Sequence, residues 1–348
     1  MNALRRSALW QLSRARMVMF LREPEAVFWV FVFPILLALA LGIAFRNQGP
    51  QRSAVGVEQG PGAAAVERAL AASPDLAVRV LAPDAARVAL RRGAIAVLVR
   101  PAPAGPPVLI YDPTRPETRL AHLATVDALE RAAGRTDPLA VRDDTRVRPG
   151  GRYIDFLLPG LIGLNLLGTG MWGIGFPIAT ARQQKLLKRM IATPMRKTDY
   201  LLAFLFARIF WLLLEVGALL LFGWLAFHVV VRGSWLAFTL VVLVGALAFS
   251  ALGLLVASRA QTIEAVSGWM NAAMLPMWLL SGTFFPADRF PGAVQPLVQA
   301  LPLTAANNAL RAIMNEGAGL AATGWPLLLL AAWAAASFFA ALKLFRWE

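Results

Sequence analysis

Residues 26–45, AVFWVFVFPILLALALGIAF, contain no charged side chain. A helix needs about 20 consecutive apolar residues to cross a bilayer core, so this stretch has the length and composition of a membrane span. Five further stretches have the same character: Ile154–Ala179, Tyr200–Phe227, Ser234–Ala257, Ile263–Leu280 and Trp325–Phe345. The chain is 58% hydrophobic and only 16% charged, unlike a soluble protein of 348 residues. The sequence therefore predicts a polytopic membrane protein with six spans.

The basic residues lie mostly on one side of these spans, which predicts the orientation. Short cytoplasmic flanks are enriched in Lys and Arg. The enriched side carries Arg5, Arg6, Arg14, Arg16, Arg22, Arg182, Lys185, Lys188, Arg189, Arg196, Lys197, Arg259, Lys343 and Arg346. The short opposite flanks carry Arg232, Arg289 and Arg311. We expect both termini to be cytoplasmic, and we expect the net charge of +14 to set topology and contact anionic lipid rather than nucleic acid.

Residues 1–24 form a basic arm before the first span at 25–45. One helical stripe of this arm is apolar and consists of Leu4, Ala8, Leu12, Ala15 and Met19. With arginines around the remainder, the pattern predicts a cytoplasmic amphipathic helix on the inner leaflet. The alternative is a basic arm that only sets topology. No cleavage site follows the first apolar run, so we expect it to be retained as a span rather than removed as a signal peptide.

The long segment 46–152 differs from the spans and predicts an inserted domain. Its apolar runs of strand length alternate with helical patterns. The runs are Ala54–Val57, Leu76–Leu81, Ala94–Val99 and Val108–Tyr111, and the helical patterns are Ala64–Ala72, Asp84–Arg92 and Glu117–Ala133. The order β-α-β-α-β-β-α predicts a small extracytoplasmic α/β domain. The predicted fold is thus an all-α six-span membrane bundle, with spans two to six in 153–348, this inserted domain and the N-terminal interfacial helix.

The loop after the second span has two faces. Its sequence from 182 to 197 is RQQKLLKRMIATPMRK. On a helical wheel the apolar arc is Leu186, Leu187, Met190 and Ile191, and the basic arc is Arg182, Lys185, Lys188 and Arg189. Pro194 ends the helix because it has no N–H to donate. Such a helix suits a partner's groove. A helix lying on the membrane surface explains the same periodicity equally well.

Two motifs resemble those of type-2 ABC exporter permeases. The run KRMIATPM at 188–195, followed by Tyr200-Leu-Leu, is similar to the coupling helix that contacts the ATPase in that family. The runs LSGTFFP at 280–286 and LPLTAANNALR at 301–311 resemble its outer hairpin between spans five and six. The span order, the basic N-terminal helix and the outside domain agree as well. One departure is that Gln183 and Gln184 stand where many relatives carry an acidic residue.

The resemblance implies the permease subunit of an ABC exporter in the cytoplasmic (inner) membrane, moving a drug-like molecule, a lipid or a glycan outward. It implies a separate cytoplasmic ATP-binding subunit that holds ATP and Mg, with no cofactor in this chain. Further expected partners are a second copy in a homodimer or a paralogous permease, membrane lipids and an extracytoplasmic adaptor. The implied coupling helix spans 182–193, and its contact residues are Arg182, Lys185, Leu186, Leu187, Lys188, Arg189, Met190, Ile191, Thr193 and Pro194. A rival hypothesis is an ABC-driven membrane lever that transmits force to an outside partner without carrying cargo.

The segment 281–322 is predicted to be a re-entrant hairpin at the outer face. Its prolines exclude a continuous helix through 281–303, and irregular apolar backbone at membrane depth must be buried in protein. The alternative is an ordinary outer loop on the headgroups. Its candidate functional residues are Gly282, Phe284, Phe285, Pro286, Pro302 and Arg311.

Four polar residues within the spans are candidates for a pathway or for joints between helices: Glu215, Asn165, Asn271 and Glu264. Glu215 lies in the middle of the third span, where a charge is costly unless it is paired, hydrated or protonated. It is either a proton- or substrate-sensing group or a structural partner between helices. Arg208, two turns earlier, is placed to snorkel to the cytoplasmic face.

The sequence lacks the motifs of several classes of enzyme. The chain has no cysteine, and none of its four lysines, at 185, 188, 197 and 343, ends a phosphate-binding loop. Its two histidines, His122 and His228, form no metal-binding pattern, and no nucleophile elbow surrounds a serine. We therefore expect a transporter subunit, not an enzyme, and an intramembrane enzyme is the least supported alternative.

Overall fold

The computed structural model describes residues 8–45, 52–102, 105–136, 139, 144, 150–183, 197–260 and 262–344. Contacts divide the chain into two compact units, one of residues 1–46 with 147–348 and one of residues 47–146. The helices are α1 (Ala8–Leu21), α2 (Pro24–Ala44), α3 (Ala63–Ala71), α4 (Pro83–Arg91), α5 (Pro116–Ala132), α6 (Tyr153–Gln183), α7 (Lys197–Phe227), α8 (Trp235–Arg259), α9 (Ile263–Leu280), α10 (Gln295–Ala300), α11 (Pro302–Glu316) and α12 (Gly324–Leu344). The strands are β1 (Ser53–Glu58), β2 (Leu76–Leu81), β3 (Val97–Arg100) and β4 (Val108–Tyr111).

The larger unit is a bundle of apolar helices. Among the described residues, five helical stretches are long and apolar enough to cross a membrane: Pro24–Ala44, Tyr153–Thr180, Ala207–Phe227, Trp235–Arg259 and Ala321–Leu344. Helix α9 has the bounds predicted for the remaining span, but it includes Glu264, Asn271 and Pro276 and is less apolar. The bundle therefore contains five candidate spans, and a sixth at α9 stays a prediction.

Helix α6 lies at the centre of the bundle. It packs against α2, α7, α8, α9 and α11, and most of its apolar side chains are buried. Small residues allow close contact between its backbone and that of α8. A Cβ added at Gly253 would lie 2.6 Å from the Met171 carbonyl oxygen, and one at Gly170 would lie 2.6 Å from the Phe249 Cβ. Such contacts are how helices associate in a membrane, where apolar burial alone does not drive them together.

Helix α1 packs along α7. The Phe20 ring lies 4.3 Å from the Trp211 ring, and Ser13 is buried. Ala15 and Met19, which belong to the predicted stripe, are exposed. These two residues of the stripe are therefore exposed, while the side of the helix that carries Ser13 and Phe20 faces the bundle.

The smaller unit is a four-stranded mixed sheet in the order β2-β1-β3-β4. β1 pairs in parallel with β2 and β3, and β4 returns antiparallel to β3. The two parallel pairings require crossovers, which α3 and α4 supply. Helices α3 and α5 cover one face over Val55, Val57, Val97 and Val99. On the other face, the one helix that packs against the described strands is α4.

Candidate functional site

The predicted coupling helix lies almost entirely outside the described residues. Helix α6 ends at Gln183 and α7 begins at Lys197, so of the predicted coupling helix 182–193 only Arg182 and Gln183 belong to a described helix. The assignment of residues 182–193 to an ATPase contact stays a prediction. What the structure does describe is the helix that leads into this segment and the sites along it.

A buried polar network joins α6 to α7 in the bundle interior. The Glu215 side chain is 1% exposed, and its Oε1 accepts a hydrogen bond from the Thr169 hydroxyl at 3.0 Å. Arg208 donates from Nη2 to the same hydroxyl at 2.9 Å, and its Nη1 lies 3.7 Å from Glu215 Oε1. Arg208 therefore turns toward the carboxylate rather than snorkelling to the cytoplasmic face. The bond from Thr169 of α6 to Glu215 of α7 favours the role of Glu215 as a partner between helices.

Three buried polar atoms beside this network have no hydrogen-bond partner in the described part of the chain. They are Glu215 Oε2, Arg208 Nε and the Trp211 indole Nε1. Positions 208, 211 and 215 follow a spacing of three and four residues, so these side chains share one face of α7. This face of α7 therefore carries polar atoms beside the ion pair that no described residue satisfies.

The network continues from Thr169 into α2. The Thr169 hydroxyl lies 2.8 Å from the backbone carbonyl of Asn165, and Asn165 donates from Nδ2 to the Val30 carbonyl at 3.2 Å. Val30 lies in a π-helical stretch at Phe28–Val32, and the residue four positions on is Pro34. Since proline has no N–H, the Val30 carbonyl loses its α-helical donor, and Asn165 takes that place.

Two of the four predicted polar residues thus meet in one network, and two do not. Asn271 and Glu264 are exposed on α9, away from any described polar partner. Thr169, the residue that links Asn165, Glu215 and Arg208, is absent from the residues predicted from the sequence. A hydroxyl in an apolar helix gives no signal by itself, although its spacing of four from Asn165 places both on one helix face.

The second polar site holds the outer hairpin against α6. After α9, residues 281–286 leave the helix, and α11 runs back into the bundle with its first residue, Pro302, buried. Asn307 of α11 is fully buried and donates from Nδ2 to the Thr283 hydroxyl at 3.0 Å and the Ser281 carbonyl at 3.3 Å. The irregular backbone is therefore satisfied by protein groups, as burial requires.

Arg311 ties the same turn to the start of α6. It donates from Nη2 to the Gly282 carbonyl and from Nε to the Phe156 carbonyl, and its guanidinium lies 3.7 Å above the Phe156 ring. The Tyr153 hydroxyl adds a bond to the Phe284 carbonyl at 3.2 Å. Gly282 adopts φ 74°, in the left-handed region that favours glycine. Phe285 is 61% exposed, so of the predicted hairpin residues it contributes least to this joint.

Glycines on α6 make room for the hairpin. A Cβ at Gly160 would lie 2.7 Å from the Thr283 carbonyl oxygen, and one at Gly163 would lie 2.1 Å from Asn307 Oδ1. Just outside the hairpin, Arg152 pairs with Asp155 at 2.7 Å and donates to the Phe227 carbonyl at 2.8 Å. The hydrogen bond from Arg152 to the Asp155 carboxylate raises the pKa of Arg152 above its ordinary value.

The apolar bundle, its intramembrane polar network and its buried hairpin define a polytopic membrane protein. The profile of the family described as ABC-2 family transporter protein matches residues 25–343. The chain belongs to this family, which confirms the resemblance found in the sequence. It is similar to ABC transporter G family member 20 of Dictyostelium discoideum, with 28% identity over 174 residues, 49% of this chain and 24% of the relative. It is also similar to Nodulation protein J of Rhizobium meliloti (strain 1021), with 31% identity over 97 residues, 28% of this chain and 37% of the relative. The aligned part thus spans only a quarter to about a third of the length of these relatives.

Proposed function

We propose that this chain is the permease subunit of an ABC exporter of the cytoplasmic membrane, driven by ATP that a separate subunit hydrolyses. The observation that carries the proposal is the family match over residues 25–343. The two-faced segment at 182–193 supports it, since an apolar arc in a cytoplasmic loop is suited to a partner's groove. The ATP and its Mg would lie on the partner.

The distribution of basic residues supports an orientation with both termini in the cytoplasm. In this arrangement α9 is the remaining span, the mixed-sheet unit lies outside, and the coupling segment faces the ATP-binding subunit. A homodimer would supply two coupling segments to a pair of ATP-binding subunits. Export of a drug-like molecule, a lipid or a glycan then proceeds along the surface between the two copies.

Helix α6 is suited to transmit the movement. Its 31 residues correspond to about 46 Å at 1.5 Å per residue, enough to cross the bilayer. Its C-terminal end leads directly into the coupling segment, and its N-terminal end holds the outer hairpin through Tyr153, Phe156 and Gly160. Between the two ends lie Asn165 and Thr169, which contact α2 and α7. A displacement of the coupling segment would therefore reach the hairpin through one helix.

Co-expression with an ATP-binding subunit tests the proposal. The purified chain alone should show no ATP hydrolysis above background, and the complex in proteoliposomes should hydrolyse ATP and move labelled lipid or dye outward. Robust hydrolysis by the lone chain would contradict the permease assignment. Hydrolysis by the complex with no movement of any cargo class would instead favour the membrane lever.

A further inference from the structure

The buried ion pair of α7 lacks a direct charged hydrogen bond. Arg208 Nη1 lies 3.7 Å from Glu215 Oε1, whereas a charge-assisted N–H···O bond has a length of about 2.7–2.9 Å. The two side chains meet instead through the Thr169 hydroxyl, which accepts from Arg208 Nη2 at 2.9 Å and donates to Glu215 Oε1 at 3.0 Å. This hydroxyl has one proton, so it cannot donate to the second carboxylate oxygen as well. The pair therefore has hydrogen-bonding capacity that Thr169 does not satisfy.

The unsatisfied capacity lies on three atoms of one helix face. Glu215 Oε2, Arg208 Nε and Trp211 Nε1 are buried and have no hydrogen-bond partner in the part of the chain that the structure describes. Trp211 lies three residues after Arg208 and four before Glu215, so its side chain neighbours both. One of the three atoms is an acceptor, and the other two are N–H donors. Since buried polar groups are almost always hydrogen-bonded, the three atoms indicate a shared partner.

The chemistry of these atoms selects a neutral ligand that both accepts and donates. An anion would bind the two N–H groups but would be repelled by the Glu215 carboxylate. A cation would bind the carboxylate but would be repelled by the Arg208 guanidinium. A single water molecule can accept from Arg208 and Trp211 and donate to Glu215. Buried waters typically make about three hydrogen bonds, which is the number available at this site.

Aromatic rings limit the size of this ligand. The centroid of the Phe20 ring of α1 lies 4.3 Å from that of the Trp211 ring, and the centroid of the Phe31 ring of α2 lies 6.0 Å from it. The side chains of Glu215 and Arg208 are 1% and 15% exposed. The three atoms therefore lie behind aromatic rings and other buried groups. This enclosure favours a molecule of the size of water over a polar group of a larger cargo.

We propose that an internal water molecule bridges Glu215 Oε2, Arg208 Nε and Trp211 Nε1 and forms part of the folded bundle. It satisfies both partners of an ion pair that is separated by more than a direct hydrogen bond. It also links the indole of Trp211, on which α1 packs through Phe20, to the polar network of α6 and α7. The inference goes beyond the exporter function and does not depend on it, because the site needs neither ATP nor cargo.

Hydroxyl-radical footprinting of the full chain in lipid nanodiscs tests the site. A short X-ray pulse splits water into hydroxyl radicals, which oxidise the side chains beside the water, and mass spectrometry locates the products. We expect oxidation of Trp211 but not of Met171. Met171 is an equally suitable target for the radical, but it is 0% exposed and packs on the α8 backbone at Gly253, away from the unpaired atoms. Absence of oxidation at Trp211 overturns the proposal.

Variants of the ion pair separate an internal water from access by bulk water. Arg208→Leu with Glu215→Leu removes two of the three partners of the water, so oxidation at Trp211 should be lost. Trp325, which is 73% exposed at the start of α12, should be oxidised as in the wild type. Equal oxidation of Trp211 in both proteins means access by bulk water and overturns the proposal. Arg208→Met with Glu215→Met is the second such pair and serves if the leucine pair does not fold.

Thermal unfolding provides a second readout of the same site. Trp211→Phe removes the indole N–H and should lower the Tm of the wild type by more than it lowers the Tm of the leucine or methionine pair. The reason is that only in the wild type does this N–H have a partner to lose. Equal shifts of Tm in the two backgrounds mean that Trp211 has no bond to the water and contradict its assignment to the site.

Discussion

The side-chain amide of Asn165 donates to the backbone carbonyl of Val30 at 3.2 Å and joins α6 to α2. Val30 needs this donor because Pro34, four residues later, cannot supply one. A residue of the second span thus completes the hydrogen bonding of the first. The backbone carbonyl of the same Asn165 lies 2.8 Å from the Thr169 hydroxyl, which donates to Glu215 and accepts from Arg208 of α7. Three spans are therefore joined around one short stretch of α6.

The first prediction is a coupling between Asn165 and Pro34. Asn165→Leu should lower the free energy of unfolding by about 1–2 kcal/mol, because it leaves a part-buried carbonyl unpaired. In a Pro34→Ala background the same change should cost clearly less, since alanine at that position restores a backbone N–H for the Val30 carbonyl. Thermal unfolding in detergent of the wild type, the two single variants and the double variant completes this double-mutant cycle. Equal costs in the two backgrounds would show that Pro34 does not create the need for Asn165.

The second prediction concerns the charged pair. Glu215→Gln should retain transport with a modest loss of stability, because the amide oxygen still accepts from Thr169. Glu215→Leu should cost about 3–5 kcal/mol, since it leaves Arg208 buried and unpaired. Adding Arg208→Leu to that variant should recover much of the loss. A protein that folds normally as Glu215→Gln but no longer transports would instead assign Glu215 to proton or cargo sensing.

The third prediction tests the contact between α6 and the hairpin. Gly160→Ala should destabilise the protein by about 1–3 kcal/mol, because its Cβ would lie 2.7 Å from the backbone oxygen of Thr283. Gly168, on the same helix, has no neighbour within 4 Å of an added Cβ. Gly168→Ala should therefore be neutral or stabilising by up to about 1 kcal/mol. Equal effects of the two substitutions would mean that the hairpin does not pack on Gly160.

These sites show what the sequence can predict and what it cannot. A run of apolar residues can be recognised from neighbouring positions in the sequence alone. The sequence therefore predicts the helix at Ile263–Leu280 with the same bounds as the structure. Glu215 and Asn165 stand out as separate polar residues, but their connection through Thr169 depends on how α6 packs against α7. The sequence places Arg208 two turns before Glu215, and this spacing along the helix axis does not reveal that the two side chains meet. Both side chains are long and lie on one face of α7, so Arg208 Nη1 comes within 3.7 Å of Glu215 Oε1.

The fourth prediction is a pH dependence of the mixed-sheet unit. A hydrogen bond from Arg135, with the charge of Arg131, lowers the pKa of Asp127 below its ordinary value. A lowered pKa stabilises the folded state above the unfolded pKa of about 3.9, and this contribution is lost as the pH falls through the folded pKa. Asp127→Asn should therefore increase hydrogen exchange at the end of α5 near pH 7, with a difference from wild type that shrinks below pH 4.

The matched control for that experiment is Asp75→Asn. Asp75 is exposed in the same unit, and its described contact is made by its backbone carbonyl. This variant should match the wild-type protein in α5 at both pH values. A pH-independent difference between Asp127→Asn and wild type would contradict the role of the ionised carboxylate.

We propose that residues 182–193 dock an ATP-binding subunit, and co-purification of that subunit with the permease tests the proposal. Burial of each large apolar side chain is worth roughly 1.5–3 kcal/mol, so Leu187→Asp with Ile191→Asp should remove several kcal/mol of docking. The control is Lys188→Gln, on the basic arc that the sequence predicts for the same segment, which should cost at most about 1 kcal/mol of docking. We expect that the partner no longer co-purifies with the double variant, while the thermal stability of the permease stays at the wild-type value. Retention of the partner at wild-type strength, or unfolding of the permease itself, would contradict it.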